Sequence, residues 1–409
     1  MAYALCLRCV KCGREFPLDG YSFRCFDCNE PLEVVYDYDS LRKFLDRRSF
    51  VGEGLWRYRV LLPVKGDIVS LGEGGSPLLG GFRIARVFGF RSLFLKDEGR
   101  NPTGSFKDRG SSVGVSKALE VKARFVGCAS TGNMAASLSA YANKAGLKCI
   151  ILVPHGTPME KLLQVLYYDP MVFSVDLPYP ELYKMSFEMS SNYNVFLVHS
   201  DSPFRVEGQK TVAFEICEQL NWRVPDFVVV PTSSGGNFSA IWKGFMEFYI
   251  LGLIDKLPRM VCVQSEGCAP IVEAFKSGGD LKAWVNPETI AHSISNPNPA
   301  LASGNRVLRI LREYNGIAVS VSDQEISEAQ KMIAILEGLF VEPASAASIA
   351  ALKKLLNMDL LHSDTSVVCV LTGVGLKDMK VIRPFILHPT PIKSWVEFEE
   401  RLKKSMLFM

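Results

Sequence analysis

Short apolar runs rich in β-branched residues recur along this chain, separated by amphipathic stretches. The runs are Ser92–Leu95, Arg124–Cys128, Cys149–Val153, Met171–Val175, Val195–Val198, Phe227–Val230, Met260–Val263, Ile317–Val321 and Val367–Leu371. Runs of this length with little alternation predict strands buried on both faces. Between them, Lys161–Tyr168, Gly208–Leu220, Gln324–Leu336 and Ala344–Leu356 predict helices; in the last, Ile349, Leu352, Leu355 and Leu356 recur at helical spacing. Strands alternating with helices predict an α/β fold with parallel sheets covered on both faces. The spacing is short from Ser92 to Asn194 and longer afterwards, which predicts two open, twisted, mostly parallel sheets. Trp395, Phe398, Leu402 and Met406, near 3.6 spacing, predict a terminal amphipathic helix across Ile392–Leu407, packed on the body or on a partner subunit.

Composition narrows the class without changing the fold. The 409 residues are 48% hydrophobic and 22% charged, an ordinary globular balance. Lys+Arg (46) against Asp+Glu (43) leaves +3 with no basic stripe, which argues against nucleic acid as a partner. The longest stretch without Asp, Glu, Lys or Arg, Phe125–Asn143, contains Ser130, Thr131, Gly132 and Asn133 and is too polar to span a membrane. Arg8, Lys11 and several cysteines stand where a signal peptide needs an apolar core, so a cytoplasmic location is expected.

Five of the eleven cysteines crowd the first 28 residues, and the other six sit singly as small buried hydrophobes. Cys9 and Cys12, then Cys25 and Cys28, form two C-x2-C pairs twelve residues apart. Each pair presents two sulfurs on one tight turn, and two turns close a tetrahedral four-thiolate shell, the arrangement of structural zinc. Cys6 is spaced from Cys9 in the same way, so the register is open; Gly13 after Cys12 favours the Cys9–Cys12 choice. A closed shell leaves the metal no catalytic position.

Four strand ends carry unusual chemistry. After the run at 92–95 comes Asn101-Pro102-Thr103-Gly104-Ser105-Phe106-Lys107-Asp108-Arg109-Gly110, in which Ser105 is placed to cap a helix and Lys107 falls in its first turn. A lysine opposes the helix dipole there, which suggests an amine kept as a Schiff-base nucleophile. Ser130-Thr131-Gly132-Asn133 opens a helix with small hydroxyls and free N–H groups, apt for a carboxylate. Thr232-Ser233-Ser234-Gly235-Gly236-Asn237 opens another, with glycines that let N–H groups converge on a phosphate. Thr372-Gly373-Val374-Gly375 adds a neutral hydroxyl at a turn. An amine, a phosphate cradle, a carboxylate cradle and a hydroxyl are the needs of pyridoxal phosphate holding an amino acid.

The same residues resemble a known family. Asn101–Gly110 is similar to the cofactor-lysine motif of the threonine synthase family within the fold type II pyridoxal-phosphate enzymes, and the cysteine-rich front resembles the zinc-ribbon form of that family. The likeness runs through Leu71–Pro77, Ser130–Asn133, Glu207–Thr211, Ser233–Asn237, Glu337–Ala346 and Thr372–Asp378. It implies a module of residues 1–36, a large domain of 37–106 and 206–409, and a small domain of 107–205. It implies that Lys107 is the Schiff-base and catalytic residue, that Asn133 meets the ring hydroxyl, that Ser233, Ser234, Gly235, Gly236 and Asn237 hold the cofactor phosphate, and that Thr372 faces the ring nitrogen. Ser130, Thr131 and Gly132, with Ser200 and Arg205 from His199–Arg205, then serve a small phosphorylated amino-acid substrate. The implied reaction is O-phosphohomoserine and water to threonine and phosphate, in a homodimer. Met134, His199, Val374 and the pair Tyr168-Asp169 depart from the family pattern, mostly near the substrate. Sister reactions therefore stay open: replacement of phosphate on O-phosphoserine, or a threonine or serine ammonia-lyase. Lys107 argues against a non-catalytic binding protein, which has no use for the amine.

Overall fold

A computed structural model describes residues 3–21, 23–200, 202–379 and 391–406. The chain falls into two compact units, Met1–Lys377 and Asp378–Met409. The first opens with β1 (Ala4–Cys9), β2 (Glu15–Phe16) and β3 (Leu32–Tyr36), an antiparallel ribbon in the order β2-β1-β3. After α1 (Tyr38–Arg42) come β4 (Leu78–Gly80), α2 (Phe82–Phe88) and β5 (Ser92–Asp97). Then α3 (Lys107–Glu120), β6 (Phe125–Ala129), α4 (Asn133–Ala145), β7 (Lys148–Pro154), α5 (Met159–Tyr167), β8 (Met171–Val175), α6 (Tyr179–Tyr193) and β9 (Val195–Leu197) alternate. The chain returns through α7 (Pro203–Gln209), α8 (Thr211–Gln219), β10 (Phe227–Pro231), α9 (Gly236–Ile250), β11 (Arg259–Ser265), α10 (Pro270–Ser277) and α11 (Gly304–Glu313). It closes with β12 (Ile317–Val321), α12 (Asp323–Glu337), α13 (Pro343–Asn357) and β13 (Ser366–Leu371).

All nine apolar runs are strands. They build a six-stranded sheet ordered β12-β11-β10-β13-β5-β4, parallel except for β4, and a four-stranded parallel sheet ordered β8-β7-β6-β9. Every residue of β10 is buried, as helices on both faces require. One expectation fails: β8 is not buried on both faces, because it is the edge of its sheet and leaves Met171 and Phe173 exposed. The helix expected over 208–220 is instead α7 followed by α8, meeting at Lys210.

That junction is tight for a reason visible in its glycines. A Cβ on Gly208 would lie 2.0 Å from the Arg109 carbonyl oxygen, and one on Gly244 would lie 2.3 Å from that of Lys210. Glycine thus lets α7 wedge between α3 and α9. The wedge is charged: Glu207 pairs with Lys210 and, at 2.5 Å, with Lys243, while Lys210 bonds Glu247 at 3.0 Å. Tyr36, the last residue of β3, and Tyr38, the first of α1, donate to Glu207 at 2.7 Å and Glu247 at 3.0 Å. The ribbon is therefore built into the body rather than appended.

Other contacts say the same. Tyr21 and Phe23 set their rings 5.5 and 5.2 Å from that of Phe196 on β9. Glu33 pairs with Arg306 at 2.6 Å, Glu30 accepts from Asn305 at 3.1 Å, and Arg309 donates to the Val10 carbonyl, all on α11. The second unit contains α14 (Trp395–Met406), whose Trp395, Phe398 and Leu402 are exposed; Leu407, at the end of the expected helix, lies outside the described residues. Among the described residues no helix is long and apolar enough to cross a membrane.

Candidate active site

Ligands in open α/β sheets gather beyond the carboxyl ends of the strands. Here β10, β13 and β5 are neighbours, so the turns after them stand side by side: the Ser233–Asn237 turn, Thr372, and the loop to Lys107. β6 of the other sheet delivers Ser130–Asn133, all four part-exposed.

The lysine loop is stitched to the Thr372 turn. Phe106 N–H donates to the Thr372 carbonyl at 3.1 Å and Val374 N–H to that of Gly104 at 3.0 Å, with Ser105 bridging Gly373. Ser105 does not cap the helix, because this bridge claims its backbone; Phe106 is the cap residue, and the Ser105 hydroxyl is buried with no partner among the described residues. Asp108 accepts at 2.6 Å each from Thr103 N–H, the Thr103 hydroxyl and the Ser137 hydroxyl, tying loop to α4. Lys107 is the first residue of α3, and its Nζ lies 4.3 Å from the Phe106 ring centre. Burial lowers its pKa to about 7, aided by the Arg205 charge and opposed by Glu342. An amine so placed is substantially neutral near pH 7, as nucleophilic and base chemistry both need.

Arg205 is buried along the α3 face that starts at Lys107: a Cβ on Gly110 would lie 3.0 Å from its Nε. The Ser200 carbonyl would lie 2.6 Å from a Cβ on Gly236, which brings the His199–Arg205 segment against the phosphate cradle; Asp201 within it lies outside the described residues. His199 is boxed by Tyr183 and Phe187, with ring centres 4.8 and 4.9 Å away. Asp169, where the family pattern has glycine, takes the left-handed conformation itself at φ +53°.

The cradle fits a phosphate. Gly235 has φ +91°, and a Cβ there would lie 2.6 Å from Val307 and 2.9 Å from the Ser303 carbonyl. Gly236 starts α9, so backbone N–H groups of its first turn are free for an anion. Both polar atoms of the buried Asn237 side chain, and the Ser239 hydroxyl, have no partner among the described residues. Buried polar atoms seldom stay unsatisfied, so these point to a bound group. Ser234 is held by Asn296 at 2.7 Å on its hydroxyl and by Ser303 N–H at 3.0 Å on its carbonyl.

Asn133 and Thr372 come together on Glu342, which accepts from Asn133 Nδ2 at 2.9 Å and from the Thr372 hydroxyl at 3.1 Å. Glu342, Ser293 and Asn296 went unrecognised in the sequence; only Glu342 lay in a family-like run, Glu337–Ala346. At the front, Cys9, Cys12, Cys25 and Cys28 hold their sulfurs within 4.8 Å of one another. Tetrahedral zinc–thiolate bonds set sulfurs about 3.8 Å apart, so this set fits the ion and the register question resolves to Cys9 rather than Cys6.

With that geometry, comparison with known proteins is specific. Residues 69–373 match the pyridoxal-phosphate dependent enzyme family. The chain belongs to this family. It is 47% identical to the threonine synthase of Methanocaldococcus jannaschii over 377 residues, 91% of this chain and 92% of the relative. Identity to the threonine synthase of Methanosarcina acetivorans is 42% over 96% of each chain. Among solved structures, maize serine racemase superposes with a TM-score of 0.63 at 22% identity, covering 81% of this chain and 93% of that one, a likeness of fold. The protein is thus a pyridoxal-phosphate-dependent enzyme of fold type II, closely related to threonine synthases.

Proposed function

We propose that this enzyme converts O-phospho-L-homoserine and water into L-threonine and phosphate. The observation that supports this most is the near-full-length likeness to threonine synthases around an intact Lys107. Pyridoxal phosphate supplies an electron sink that makes protons at Cα and Cβ of a bound amino acid removable. Lys107 would hold the cofactor and, as a neutral amine in this buried site, would take the Cα and then the Cβ proton of the substrate. As phosphate leaves from Cγ, one of these protons would return to Cγ, water would add its hydroxyl at Cβ and give its remaining proton to the phosphate, and the other would return to Cα to complete threonine. Ser233, Ser234, Gly235, Gly236 and Asn237 would hold the cofactor phosphate, and Asn133 and Thr372 would supply polar groups to its ring. Ser130, Thr131 and Gly132 take the substrate carboxylate. Ser200 and Arg205 serve the substrate phosphate, for which a guanidinium is the natural partner.

The cysteine set holds structural zinc, and the enzyme works as a cytoplasmic homodimer; a monomeric mass by light scattering would reject the dimer. One observation keeps a second reading alive: Met134, buried in the first turn of α4, replaces the hydroxyl usual beside the substrate phosphate. Phosphate release from O-phosphohomoserine, and from O-phosphoserine with sulfite, measured side by side, decides between threonine synthesis and that replacement reaction. Release from neither rejects both.

A further inference from the structure

We infer that Glu342 is a positioning residue of this active site, acting by gathering hydrogen-bond donors from three separate segments. The inference rests on the reading of the cleft as a pyridoxal-phosphate site. Glu342 is buried, 3% exposed, and immediately precedes α13. Its Oε2 accepts from Asn133 Nδ2 at 2.9 Å and from the Ser293 hydroxyl at 3.1 Å, and its Oε1 accepts from the Thr372 hydroxyl at 3.1 Å. Asn133 starts α4 beside the four-stranded sheet, Thr372 directly follows β13 of the six-stranded sheet, and Ser293 lies in the connection between α10 and α11. One carboxylate therefore joins two sheets and a loop.

Its own place is fixed from behind. Glu342 N–H donates to the Gly373 carbonyl at 3.0 Å, and a Cβ on Gly373 would lie 2.9 Å from Oε1, so glycine at 373 is what admits the carboxylate. An ionised carboxylate can only accept. Asn133 must then turn its amide nitrogen toward Glu342, which settles the amide's orientation. Thr372 is engaged twice: its hydroxyl donates to Glu342, and its oxygen lies 3.0 Å from Ser345 Oγ, which can donate to it. Both side chains thus enter the cleft already oriented. The same negative charge opposes Arg205 in setting how readily Lys107 gives up its proton.

The test is made on holoenzyme. Glu342→Gln keeps the size but replaces one accepting oxygen with a donor, so at least one of the three donors faces another donor. The expected result is a kcat lower by about tenfold with KM within about threefold, as loss of one oriented hydrogen bond would give. The absorption band of the bound cofactor shifts, and the ascending limb of the pH–kcat profile moves to lower pH, because the charge that favours protonated Lys107 is gone. Glu342→Asp, which keeps the charge, restores the position of that limb. If Glu342→Gln does not fold, Ser293→Ala removes one donor and is expected to shift the band alone; an unshifted band there overturns the inference. A folded Glu342→Gln with parental kcat, band and pH limb overturns it too. A parent protein that stays colourless with added pyridoxal phosphate overturns the cofactor reading and this inference with it, whereas a yellow parent beside an unaltered Glu342→Gln overturns only the role of Glu342.

Discussion

Gly208→Ala should cripple the enzyme although residue 208 bears no side chain near the reaction. The added Cβ would sit 2.0 Å from the Arg109 carbonyl oxygen and 3.0 Å from Gly110 Cα, both main-chain atoms that cannot swing away. Restoring ordinary contact needs about 1.2 Å more room between α3 and α7. Overpacking of this kind costs about 1–3 kcal/mol. For a chain this long, that lowers Tm by roughly 1–4 °C. The larger consequence is positional. Arg109 lies two residues beyond Lys107 in the same helix, so moving that turn moves the amine. A misplacement of about 1 Å costs on the order of a hundredfold in rate. Thermal unfolding followed by circular dichroism, together with kcat and cofactor titration, reads both effects. Gly279→Ala is the control: its Cβ would meet only the Ser277 hydroxyl, at 3.4 Å, and parental values are expected. If Gly208→Ala matched the parent in Tm and kcat, α7 would not be the spacer that sets Lys107.

Other outcomes are equally direct. The rate at which the apoprotein captures pyridoxal phosphate should rise with pH up to about 7 and then level off, since the neutral amine reacts and burial lowers Lys107 to about 7; a rise continuing to pH 10 would mean an ordinary lysine. Borohydride should fix the cofactor covalently on Lys107 with loss of the yellow colour, and Lys107→Ala should abolish turnover; residual turnover within about tenfold of the parent would remove Lys107 from the mechanism. Arg205→Ala should raise KM for a phosphorylated substrate and move that capture midpoint upward, because the cation that helps depress Lys107 is lost; an unchanged KM would take Arg205 out of the pocket. Metal analysis should return about one zinc per chain, and chelation should lower the affinity for pyridoxal phosphate; a metal-free protein with full affinity would contradict the four-thiolate site.

Much of this architecture is legible in the residues because parallel strands covered on both faces leave uncharged, branched runs such as Phe227–Val230. The turns after them are legible because close backbone approach and anion binding restrict the alphabet to glycine and small hydroxyls. What escaped depends on neighbours distant in sequence. β8 reads as buried until its place at a sheet edge is known. β4 is three residues long and too short to show a period. Ser105 has the chemistry of a cap, yet its bridge to Gly373 decides otherwise. Asn296 sits in an aperiodic stretch of asparagine, serine and proline, and nothing local says that it reaches Ser234.

The ribbon grips α11 through Val10, Glu30 and Glu33, and α11 backs the Gly235 bend through Val307; its Tyr21 and Phe23 meanwhile brace Phe196, just ahead of His199. The thiolate knot therefore stands behind both anion pockets: a chain that has not closed it lacks the contacts that back them. Under zinc scarcity, ribosomes would go on turning out full-length copies that stay unfinished, and a shortened version beginning after residue 36 would be an incomplete catalyst rather than a minimal one.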